Sequence, residues 1–81
     1  MYGINDLQTR IMSLVDYWVR SNKTPVPHKE IMQRLTNDDH IAETTAKAAI
    51  KVLISKGYIR KAVCVSNKTY YVQLRTLFHI N

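Results

Sequence analysis

Eighty-one residues, 46% of them hydrophobic, suffice for one domain with a thin core. The lone cysteine, Cys64, rules out an internal disulfide and a cysteine-rich zinc site, and no apolar run approaches the roughly 20 residues that cross a bilayer. Twelve lysines and arginines against six acids leave a net charge of +6, which favours nucleic acid or another anionic surface as partner without choosing between them.

Residues 1–10 hold no basic stretch followed by an apolar one, so no secretory signal is expected. With an isolated thiol, this points to a soluble chain in the reducing cytoplasm. Asn5 or Asp6 is placed to cap a first helix, with Ile4 as an apolar staple at its entry. Leu7, Ile11, Leu14, Val15 and Trp18 recur at helical spacing, so the helix is expected over 5–21 with Trp18 in its core stripe. Its charged residues, Asp6, Arg10, Asp16 and Arg20, cancel, which suits a supporting role.

Pro25 and Pro27 then force an extended link anchored by Val26. Pro27 is placed to begin a second helix over 27–35, where its missing donor does no harm and Ile31, Met32 and Leu35 form a narrow apolar face. Residues 36–42 read as a polar turn, acidic through Asp38 and Asp39, with Ile41 as its one clearly apolar anchor.

A third helix is expected over 43–56, closed by Gly57. Ala46, Ala49, Ile50 and Leu53 are its inward positions, and the two alanines would let another helix approach closely. Thr44, Thr45, Lys47, Ala48 and Lys51 lie on the other side. After Gly57 the period changes to two, and 58–65 and 69–74 read as strands joined by the turn Ser66-Asn67-Lys68. Cys64 alternates with Val63 and Val65, which makes it a small apolar strand residue. The charge surplus sits in the second half, since residues 58–81 carry Arg60, Lys61, Lys68 and Arg75 and no acid.

Helix, extended link, helix, turn, longer helix, glycine and hairpin, in that order, resemble the winged helix-turn-helix superfamily over nearly the whole chain. The most specific stretch is 46–59, AKAAIKVLISKGYI, which is similar to the recognition helix and first wing strand of small bacterial and phage regulators. Leu53, Gly57, Tyr58 and Ile59 keep that spacing, while Ile54 is apolar where the family is polar. Residues 27–35, PHKEIMQRL, look like the family's second helix. The turn over 36–42 departs from the pattern, being longer than the basic motif's and acidic.

The resemblance implies an α+β fold with three helices followed by a β-hairpin wing over 58–75, and a sequence-selective regulator of transcription bound to double-stranded DNA. The third helix would enter the major groove, making Thr44, Thr45, Lys47, Ala48 and Lys51 the candidate contacts. Lysines neutralise phosphates, threonine hydroxyls serve bases or phosphates, and the Ala48 methyl suits a thymine methyl. Arg, Asn and Gln are absent from this face, so direct base selection is expected to be modest and much of the affinity to come from the backbone. Lys68 and Asn67 at the hairpin tip would reach a flanking phosphate or the minor groove. Lys29, Arg34 and His28 are further phosphate candidates on the second helix, whose start also favours an anion. Arg60 and Lys61 are wing candidates as well, but strand alternation points them to opposite faces.

Blander readings stand beside these. The lysines of the third helix and Lys68 also read as solvated surface, and of Tyr70 and Tyr71 one is expected to pack on the core. His28, His40 and His79 make no metal spacing, and Asp38, Asp39 and His40 are explained by the turn. With no glycine-rich phosphate loop, nucleophile elbow or paired carboxylates, no enzyme activity, metal or cofactor is expected. A protein-interaction module, acting as adaptor or inhibitor of a host machine without binding DNA, is the main alternative. The acidic turn and the missing base readers favour it; RNA binding ranks third. A homodimer through Tyr2, Leu77, Phe78 and Ile80 would suit a repeated DNA site.

Overall fold

Asn5 opens the first helix with two reciprocal bonds. The Gln8 amide donates to Asn5 Oδ1 at 2.9 Å, and the Asn5 amide donates to Gln8 Oε1 at 3.3 Å, a capping box. The computed structural model describes residues 5–64 and 66–76. Within them α1 runs over Asp6–Asn22 and ends on Lys23, whose φ of 60° is left-handed. Ile4, the expected staple, lies outside the described residues. Ile11, Met12 and Val15 are fully buried on α1, while Leu7, Leu14 and Trp18 pack against the core from its margin. Trp18 is thus an edge residue, and its indole N–H donates to Thr24 Oγ1 at 3.3 Å.

The extended link is part of the sheet. Val26–Pro27 forms a two-residue strand, β1, antiparallel to Tyr70 and Tyr71, and the sheet order is β1-β3-β2. A proline is tolerated there because β1 is an edge, where a missing N–H breaks no ladder. The expected two-stranded wing is therefore a three-stranded sheet. Pro27 caps α2 (His28–Gln33) rather than opening it from inside.

Helical winding also continues past the expected end of that helix. Arg34–Asp38 is a π-turn, in which the Asp39 amide donates to the Arg34 carbonyl at 3.3 Å and the Thr36 hydroxyl donates to the Met32 carbonyl at 2.8 Å. Part of the anticipated polar turn is thus wound up. His40 then takes a left-handed φ of 56°, and Ile41 packs half-buried on the core.

α3 runs over Glu43–Ser55 with Ala46, Ala49, Ile50 and Leu53 all buried, as its spacing requires. Its end is a Schellman turn: Gly57 N–H donates to the Ile54 carbonyl and Tyr58 N–H to the Leu53 carbonyl, each at 3.0 Å. Gly57 supplies the φ of +81° that this closure needs. β2 (Ile59–Val63) and β3 (Thr69–Gln73) pair antiparallel, with Lys61 opposite Tyr71 and Arg60 opposite Val72. Asn67 carries a left-handed φ of 63° in the connecting turn, whose Cys64 amide donates to the Lys68 carbonyl at 3.0 Å.

The fold is α+β, three helices on a three-stranded antiparallel sheet. One cluster from α1, α2, α3 and the sheet, centred on Ile11, Ile31, Leu35, Leu53 and Ile59, forms the core. Among the described residues no helix is long and apolar enough to cross a membrane.

Candidate nucleic-acid interface

A helix of 3.6 residues per turn that buries positions 46, 49, 50 and 53 must turn 44, 48, 51 and 55 to solvent. Thr44, Ala48, Lys51 and Ser55 are accordingly exposed. Lys47 and Lys51, one turn apart, occupy the flank toward the hairpin together with half-buried Ile54. Thr45 lies on the far flank in line with Val52, which is 36% exposed. Ser55 and Val52 belong to this surface although the sequence reading did not single them out. The helical period alone places both on the outward face.

Between α3 and the hairpin lies an open groove of about 450 Å³. Lys47 and Lys51 line it from α3, Lys61 from β2, and Thr69 and Tyr71 from β3, with His28 contributed by α2. Ile50 and Ile54 make the apolar part of its wall, and among the described residues no carboxylate lines it. Among the described residues Lys51 and Lys61 have no salt-bridge partner, and Lys47 meets only Glu43 on its own helix at 3.7 Å. Both partners of that pair are more than half exposed, so it is worth about 0.3–0.5 kcal/mol at most and leaves the ammonium available. Asp39 of the acidic turn is bound by Arg10 at 2.8 Å.

His28 is positioned by the sheet. Because β1 pairs with β3 immediately before α2 begins, the imidazole lies beside Tyr71, and Nδ1 shares a hydrogen bond with the tyrosine hydroxyl at 2.7 Å. The rings are 5.7 Å apart and tilted by 57°. Burial, then Lys47 and Lys61, push the His28 pKa below the ordinary histidine value against an opposing pull from Glu43. Burial raises the Tyr71 pKa, so its hydroxyl stays protonated. Tyr71 is the core tyrosine of the pair, 4% exposed, and Tyr70 is half-buried.

The same strand pairing folds the hairpin turn over the start of α2. Lys29, Asn67 and Lys68 border one hollow of about 460 Å³ with Tyr70, which shares His28 and Thr69 with the first groove. Two of the basic candidates line neither hollow. Arg34 is held by Glu30 at 3.1 Å and borders a small recess with Leu14, Tyr17 and Trp18 of α1. Arg60 is exposed but, being next to Lys61 on β2, projects from the other face of the hairpin. Arg75 is occupied as well, its guanidinium 5.6 Å from the Tyr58 ring centre.

Cys64 differs from expectation. β2 stops at Val63, so Cys64 begins the turn, is exposed rather than packed, and lies 3.0 Å from the Ser66 hydroxyl. That bond lowers its thiol pKa below the usual range. Tyr2, Leu77, Phe78 and Ile80, the anticipated dimer surface, lie outside the described residues. Comparison with family models, with curated proteins and with solved structures gives no match for this chain.

Proposed function

We propose that the chain is a winged helix-turn-helix protein that binds double-stranded DNA, acting as a small transcriptional regulator. α3 lies in the major groove, and the hairpin lies on the flanking backbone. The observation that carries this reading is the groove in which Lys47 and Lys51 of α3 meet Lys61 of the hairpin, with Lys29 and Lys68 bordering a second hollow that shares His28 and Thr69 with it. Cations clustered in neighbouring clefts suit a backbone that carries one charge per roughly 1.7 Å. Thr44 and Ala48, exposed at the crest of α3, are the side chains for base edges. Arg34 and Arg60 are assigned no contact.

Binding of a duplex should weaken linearly in log–log form as salt rises, with a slope of about −0.9 per phosphate neutralised. Replacing Lys47 and Lys51 together by alanine should weaken binding and flatten that slope by about two contacts' worth. A double variant indistinguishable from the parent at every salt concentration sinks the assignment of α3.

The alternative, an adaptor that binds protein instead, would use Tyr17, 64% exposed on α1 beside Leu14 and Trp18. Tyr17→Ala should abolish capture of a stoichiometric protein partner under that reading and leave DNA retention untouched under the first.

A further inference from the structure

His28 borders the α3–hairpin groove, the hollow beneath the hairpin turn, and a third hollow between α2 and the start of α3. The Tyr71 hydroxyl fixes its ring at 2.7 Å, and Tyr71 is itself buried. The charged groups that act on the ring are Lys47 and Glu43 from α3 and Lys61 from β2. Lys29 follows it on α2. An imidazole at the junction of three clefts, beside two ammoniums and only one carboxylate, is poorly placed to carry charge in the free protein.

We propose that His28 is an anion-binding residue of this groove and takes up one proton when a DNA backbone phosphate enters between Lys47 and Lys61. The proposal rests on the DNA-binding reading and adds a proton to it. In the free protein the neutral ring uses one nitrogen in the Tyr71 bond. The phosphodiester's single negative charge, added to that of Glu43, offsets the two ammonium charges that disfavour a proton on the ring, so the imidazolium becomes the favoured form. Both ring nitrogens then donate, Nδ1 to the Tyr71 oxygen and Nε2 to a phosphate oxygen. The proton comes from bulk solvent, one for each complex formed, and no bond is made or broken elsewhere.

Affinity for duplex DNA should therefore rise as pH falls through the bound-state pKa of His28, by up to about tenfold per pH unit for one proton. The experiment follows the His28 ring resonances by NMR across about pH 5–8, free and saturated with a short duplex. The duplex should move the His28 pKa upward. His28→Gln, whose amide keeps a bond to Tyr71, should bind DNA with a flat pH profile, whereas His40→Asn should retain the native profile. An unmoved or lowered His28 pKa in an established complex overturns the proposal while leaving DNA binding in place.

Should no duplex be retained at any salt concentration, the DNA reading fails, and sulfate, which does not titrate in this range, tests the groove alone. Sulfate that raises the His28 pKa in the native chain but not in the Lys47→Ala, Lys61→Ala double variant upholds the anion site. Sulfate that leaves that pKa unmoved in the native chain sinks it.

Discussion

Arg10 grips Asp39 with two bonds, Nε donating to Oδ2 at 2.8 Å and Nη2 to Oδ1 at 3.3 Å. The pair ties the first half of α1 to the loop that precedes α3, and it occupies the Asp39 carboxylate. A double-mutant cycle on Arg10→Ala and Asp39→Ala should give a coupling of about 0.5–1 kcal/mol, because the geometry is bidentate but the arginine is 42% exposed. The measurement is urea unfolding of the four proteins at low and high salt, with coupling shrinking as salt rises. A coupling of zero at low salt removes the tether.

Lys61 and Arg60 are neighbours on β2 with opposite facings, so they make a paired test of the interface. Lys61→Ala should weaken duplex binding and reduce the salt slope by about one contact, whereas Arg60→Ala should change neither. Fluorescence anisotropy at several salt concentrations reads both quantities. Equal losses for the two variants would mean that the hairpin meets DNA by its edge and not by the α3-facing side.

Gly57 tests the helix stop. A methyl added there meets nothing within 4 Å, so any loss in Gly57→Ala comes from the φ of +81° alone. Holding an alanine left-handed costs about 1–2 kcal/mol, and asparagine should cost distinctly less. Thermal melts should show Gly57→Ala lowered by about 4–8 °C for each kcal/mol, with Gly57→Asn between it and the parent. The reverse order would show that crowding, not conformation, decides the position.

His28 gives the free protein a pH dependence of opposite sense to its DNA affinity. Its folded-state pKa lies below the unfolded one, through burial first and then Lys47, so the unfolded chain binds the extra proton. The resulting stability is present above the unfolded value of about 6.5 and is lost as pH falls through the folded pKa. Melting temperature should drop between about pH 7 and pH 5, and His28→Gln should flatten that drop. An unchanged profile in the variant assigns the loss to other groups.

Helix positions were legible wherever burial follows a single period. The inward set of α3 is met at Ala46, Ala49, Ile50 and Leu53, and Gly57 and Asn67 take the left-handed φ values their residue types allow. Cys64 went astray because alternation does not say where a strand stops, and the turn begins one residue after Val63. The π-turn over Arg34–Asp38 was not legible because Thr36, Asn37 and Asp38 have side chains that suit capping as readily as winding.

Chain order determined the three helices, the hairpin and the concentration of positive charge toward the second half, because periodicity and capping are local and each element carries its own signal. The gathering of that charge was decided only in three dimensions. Val26 and Pro27 are too short a run to announce a strand, yet their pairing with Tyr70 and Tyr71 sets α2 against the sheet. That pairing brings His28 to Tyr71 and Lys29 to the hairpin turn. Such pairing depends on partners more than forty residues apart, whose meeting is fixed by the shared core and not by either segment's own pattern.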